Sequence, residues 1–284
     1  MRRLLPLLLL AACCLTAEPA RVDTTLPLGQ AFARLYNFDF AGAHGILDEQ
    51  IRHDPQQPIP YGVKAAAYFF AELHRLKILQ IEFFEDDDKV VDRRKLTPDP
   101  VVRQEFFRLL AAARARANTL LASQPDHRDA LFTLCMAAGL ETDYAALIER
   151  RRFGSFVLAR QTHAYVRRLL ALNPPVYDGY LALGTTEYVV GSLPFFLRWF
   201  VRMDDIKGSK EKGIETLHLV AERGRYYGPL ARILLTAIFM REKRLGEAHL
   251  LLTGLASEYP DNPLFRRELD RVAELRLRAN AASR

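Results

Sequence analysis

The chain has 284 residues, 50% of them apolar and 26% charged, with 15 Gly and 15 Pro. Such a composition belongs to a globular protein with a sizeable core and excludes a disordered, collagen-like or disulfide-stapled chain. The formal charge of +6 comes from 40 basic against 34 acidic residues, a mild excess that argues against a nucleic-acid partner.

Met1-Arg2-Arg3 precedes the apolar run Leu7 to Ala12, which is shorter than the roughly 20 residues a membrane-spanning helix needs. The first 17 residues therefore read as a secretory signal, followed by one folded region over 24–284. Leu10-Ala11-Ala12-Cys13 resembles the lipobox of bacterial lipoproteins. That resemblance implies that Cys13 becomes the N-terminus and carries a lipid anchor. Leu15-Thr16-Ala17 would instead serve an ordinary signal peptidase, and both Cys13 and Cys14 would be discarded. The expected location is the cell envelope for the lipidated form, and periplasmic or secreted for the other. The third cysteine, Cys135, lies in the apolar stretch Leu131 to Ala138 and reads as a small core residue.

From about Leu28 onward apolar residues recur at intervals of three and four, as in Phe40, Ala43, Leu47 and Ile51, or Phe106, Leu109, Leu110 and Ala113. This is the period of a helix, and no stretch of useful length alternates as a strand would. Pro and Gly fall mainly between the periodic segments, so the chain reads as a string of helices.

Four segments align on a terminal proline with one spacing: Phe40, Ala43, Leu47, Gln50, Pro55; Leu110, Ala113, Ala117, Leu120, Pro125; Ala159, Thr162, Val166, Leu169, Pro174; and Leu245, Ala248, Leu252, Leu255, Pro260. A degraded fifth copy runs Lys210, Gly213, Leu217, Val220, Arg225. After Pro174 come Tyr180, Leu183-Gly184, Glu187 and Gly191, and the last copy ends Ser257-Glu258-Tyr259-Pro260-Asp261-Asn262-Pro263. In these residues the chain resembles the tetratricopeptide-repeat family. The resemblance implies an all-α, right-handed solenoid of helical hairpins, with about five degenerate repeats. The stops at 55, 125, 174 and 225 lie farther apart than the family period of about 34 residues, so insertions are expected near 83–100, 140–154 and 192–208. The segment Leu264 to Ala279, with its narrow stripe of Leu269, Val272 and Leu275, reads as a capping helix.

Catalytic motifs are missing from the sequence: it has no His-Glu-x-x-His, no Gly-x-Ser-x-Gly, no dinucleotide fingerprint and no phosphate loop. Gly208-Ser209-Lys210-Glu211-Lys212-Gly213 reads as a capped helix start, and Glu85 to Asp88 and Arg150 to Arg152 read as solvated charge. The scattered His residues have no metal-ligand spacing, and no metal or cofactor is expected. The segment from Ser192 to Met203 holds the sole Trp, and its Phe195, Phe196, Trp199 and Phe200 either close over the core or press on a partner or membrane.

The resulting expectation is a non-catalytic, exported scaffold that binds a protein or peptide. The family resemblance implies a concave groove lined by the first helix of each pair, which places Asp129, Phe132 and Met136, then Asp178, Thr185 and Tyr188, on the groove wall. Two other readings stand beside it: an envelope transport or assembly accessory with an apolar ligand pocket, and a hydrolase on envelope polymers, for which no carboxylate pair is marked.

Overall fold

Capping residues set where the helices begin. Asp39 accepts the N–H of Gly42 at 2.8 Å, Asp99 accepts those of Val101 and Val102, and Ser209 accepts that of Lys212. Each thereby satisfies a donor that a helix start leaves unpaired. The computed structural model describes residues 19–79, 96–149, 152–193 and 207–282. Among them are eleven α-helices and no strand: α1 (Pro27–Tyr36), α2 (Phe40–His53), α3 (Ile59–Arg75), α4 (Pro100–Ser123), α5 (Arg128–Asp143), α6 (Arg152–Ala171), α7 (Tyr180–Ser192), α8 (Lys210–Arg223), α9 (Gly228–Arg241), α10 (Leu245–Glu258) and α11 (Pro263–Ala282). A π-helical turn, Tyr144–Ile148, extends α5, and a 3-10 turn, Tyr177–Gly179, leads into α7.

Four of the five even-numbered helices stop in one register; in α6 the aligned Pro174 stands three residues beyond the end at Ala171. Pro55, Pro125 and Pro260 stand two residues beyond the ends of α2, α4 and α10, and Arg225 stands two beyond α8. The last bond is also the same, from Asp54 N to Gln50 O, Gln124 N to Leu120 O, Gly224 N to Val220 O and Tyr259 N to Leu255 O, at 2.7–2.9 Å. The stop therefore survives where arginine has replaced the proline.

Three odd-numbered helices share a second ending. Phe38, Lys77 and Lys243 follow α1, α3 and α9 with φ of 62°, 58° and 59°. The next N–H in each case reaches five residues back, Asp39 to Arg34, Ile78 to Leu73 and Arg244 to Phe239. This is the left-handed Schellman closure, made here without glycine.

Every helix packs on its successor in the chain, and α3 also packs on α1 and α5. The aligned small residues mark the crossings: Ala43, Ala113 and Ala248 are fully buried. At the α7–α8 crossing a Cβ on Gly213 would come within 2.6 Å of Tyr188 N and 2.8 Å of Gly184 O, so neither helix can accept a larger residue there without moving apart. Leu47, Leu217, Leu252, Leu255, Val166 and Leu169 fill the gaps a turn away. On α11, Val272 is buried and Leu269 and Leu275 pack on the same apolar cluster, so the narrow stripe is the helix's packed face.

Consecutive stacking is joined by a long-range closure. Phe32 of α1 stacks on Tyr226 with ring centroids 4.7 Å apart, and Tyr36 Oη donates to Tyr226 O at 2.9 Å. Asn262 Nδ2 donates to Tyr36 O at 2.7 Å. The first helix thus lies on the α8–α9 and α10–α11 corners. Tyr36 and Tyr227 border both of the large apolar clusters, one built mainly from α1–α6 and the other from α7–α11.

Candidate functional site

Neighbouring helices and the α8–α9 corner fill much of the wall expected on α5 and α7. Phe132 is buried, with its ring 5.7 Å from Tyr226 and 5.4 Å from Tyr227. Met136 is buried against Gly62, and a Cβ there would lie 2.9 Å from its Cε. Tyr188 is buried and donates to Glu242, which also accepts from Lys210 Nζ at 2.7 Å. Asp178 is 3% exposed; its carboxylate accepts the N–H groups of Arg225, Tyr226 and Tyr227 at 3.0, 2.8 and 2.7 Å. Four of the six expected wall residues are therefore interior. Asp129 and Thr185 remain half-buried, with Thr185 Oγ1 bonded to Leu181 O.

The α5 face stays open at its other end. Positions 132, 136, 139 and 143 share one helical face. A Cβ on Gly139 would meet nothing within 4 Å, and Asp143 is exposed. Desolvation by the surrounding protein pushes the Asp143 carboxyl up to about 7. Nearby Cys135 is buried, and its thiol is pushed up to about 12 by burial, so it is a packing residue with little thiolate at neutral pH. By length and composition Arg128–Ile148 could cross a membrane, but 67% of its apolar window is buried inside the protein. It serves as a core helix.

A shallow depression of about 530 Å³ lies on α8 and the α9–α10 turn, lined by Lys210, Glu211, Ile214, Glu215, His218, Glu242 and Arg244. Its charges are largely spent on one another or on a neighbour: Lys210 pairs with Glu242, and Arg244 with Glu247. His218 is half-buried against Phe239, and burial lowers its pKa. Ser209 caps α8 as the Gly208 to Gly213 sequence suggested. Among the described residues no group of three or more His, Cys, Asp or Glu side chains is placed to hold a metal ion.

Two buried glutamates, Glu72 and Glu187, hold the chain at Asp99 and at Gly208–Ser209, a role that no sequence motif marks. Glu72 accepts the N–H of Asp99 at 2.8 Å and both Nε and an Nη of Arg75, whose guanidinium reaches on to Thr97 O. Glu187 accepts the N–H groups of Gly208 and Ser209 and pairs with Lys212. Each buried carboxylate is satisfied by backbone donors and a cation, as burial demands. The partners of Glu187 lie 21 and 22 residues away and leave no local pattern, whereas Glu72 and Arg75 stand three apart on one helix and read as an ordinary surface pair. Cys13, Cys14, Glu85 to Asp88, Arg150, Arg151, Phe195, Phe196, Trp199 and Phe200 lie outside the described residues.

No family model matches the chain, and no curated protein matches it.

Proposed function

We propose that this chain is a divergent tetratricopeptide-like scaffold, exported and tethered through Cys13, that binds a protein or peptide partner and performs no chemistry. The observation that carries the reading is the repeated hairpin. Helices packed in sequence order share one stop register on α2, α4, α8 and α10 and one left-handed closure on α1, α3 and α9. A regular stack of that kind presents an extended inner wall to an extended ligand; here the wall is filled at Phe132, Met136, Asp178 and Tyr188, which leaves the end of α5.

The partner would meet the part of the inner wall that the chain does not itself fill, namely Gly139 and Asp143 on α5 with the half-buried Asp129. A test is crosslinking in intact cells with the tagged wild type and a Gly139→Leu/Asp143→Arg double variant, followed by mass spectrometry of the captured species. The open space at Gly139 lets the variant fold, and it should lose a defined captured protein. Capture of the same set by both proteins, or a turnover activity in the purified chain that Asp143→Asn abolishes, would sink the proposal.

A further inference from the structure

Asp143 ends the open face of α5, and the chain treats it differently from its interior acids. Glu72, Glu187, Glu258 and Glu268 each pair with an arginine or a lysine, and Asp178 takes three backbone N–H groups. Asp143 receives neither: among the described residues no hydrogen bond and no basic group offsets the desolvation of its carboxyl. A carboxylate in such surroundings either keeps its proton or takes a cation from outside the chain.

The place is a recess. Asp143 is exposed, yet the protein around it desolvates its carboxyl, and both hold together where a concave wall admits solvent. One turn back, a Cβ on Gly139 would meet nothing within 4 Å. Half-buried Tyr227 lies near: burial raises its pKa, and Cys135, Asp178, Tyr36 and Asp143 add to the rise. Each of these groups is neutral or negative, so the recess is acidic and aromatic in a chain whose formal charge is +6. A π-helical turn starts at the next residue, Tyr144, a feature rare within helices and recurrent at functional sites.

Charge complementarity selects the ligand. A bound hard cation needs several oxygen ligands, and among the described residues no group of three or more metal-ligating side chains is placed to supply them. A lysine or arginine side chain has an apolar stem and a charged head. The stem suits a wall that holds Tyr36 and Tyr227, and the head suits an unpaired carboxylate shielded from bulk water.

We propose that Asp143 anchors a lysine or arginine side chain of the partner segment, which enters the recess past Gly139. The inference rests on the scaffold reading and names the chemistry of its ligand.

The test selects short random displayed peptides against the full chain held through its C-terminus. The selected peptides should carry Lys or Arg at one fixed position, severalfold above its frequency in the library. Norleucine at that position should weaken binding about tenfold or more, and Asp143→Asn should do the same. The two changes together should cost no more than either alone, which locates the contact; Asp143→Glu keeps the charge and should keep most of the affinity. Peptides without a basic preference, basic peptides that bind Asp143→Asn as tightly as wild type, or no selected peptide at all would each overturn the inference. The scaffold reading fails or holds separately. A protein captured in cells whose crosslinked segment has no basic residue leaves the scaffold standing and removes this inference alone. Selection of basic peptides by a chain that captures no protein in cells does the reverse.

Discussion

Asp178 and Tyr226, 48 residues apart in sequence, are joined by a 2.8 Å bond from the backbone N–H of Tyr226 to the Asp178 carboxylate. The same carboxylate takes the N–H groups of Arg225 and Tyr227, so one side chain caps the whole corner on which α1 rests. Burial raises its pKa, and the backbone hydrogen bonds work against that rise. Asp178 thus acts as a structural clasp, although its sequence register suggested a groove. Asp178→Ala leaves three backbone donors without a partner in the interior and should cost on the order of 3 kcal/mol or more. Asp178→Asn keeps an acceptor oxygen and should cost less. Urea unfolding of the three proteins measures the difference; an alanine variant as stable as wild type would refute the clasp.

The α7–α8 crossing is the tightest test of the stacking. Gly213 and Gly184 face each other there, and a Cβ on Gly213 would strike backbone on both sides of the contact. Backbone cannot rotate away as a side chain can. Gly213→Ala should therefore destabilise by about 1–3 kcal/mol, the usual cost of overpacking. Gly139→Ala, in open space on α5, should cost nothing from packing and supplies the control. Thermal denaturation that ranks the two in the opposite order would show that the crossing is looser than described.

Much of the helical order was legible because it depends on short-range rules. The spacing of Ala43 and Leu47, or of Ala248 and Leu252, marks a buried face, and the terminal prolines mark stops that recur at α2, α4 and α10. The site was much less legible. Phe132 and Met136 have the register of a groove wall, but Tyr226 and Gly62 fill the space in front of them. That covering comes from residues distant in sequence, Gly62 through the packing of α3 on α5 and Tyr226 from the α8–α9 corner, and periodicity carries no information about such contacts. The left-handed residues were hidden for a different reason. Phe38, Lys77 and Lys243 stand where glycine would have announced the turn.

Lys243 offers a gain in stability. Its φ of 59° places an L-residue in the left-handed region, where a Cβ crowds the backbone. The side chain is exposed, while the backbone bonds from Lys243 N and Arg244 N do not depend on it. Lys243→Gly removes the strain and keeps those bonds, at the cost of a more flexible unfolded chain. The net expectation is stabilisation of about 0.5–1 kcal/mol, read as a raised Tm. A lowered Tm would mean that the lysine side chain contributes more than its turn conformation costs.

Asp143 should couple stability to pH in a defined direction. Its carboxyl is raised by desolvation from 3.8 to about 7, so between those values the folded protein holds a proton that the unfolded chain has released. Stability from this group is complete below the unfolded value and falls as pH rises through the folded one. Because the side chain is exposed, water screens the penalty, and the effect should be no more than about 1 kcal/mol. Asp143→Asn stays neutral throughout. The variant should therefore match wild type near pH 4 and exceed it at pH 8, with the gap opening across that interval. Calorimetry at a series of pH values measures this gap. A constant difference between the two proteins at every pH would show that the carboxyl titrates normally and that the inner face of α5 is as wet as open surface.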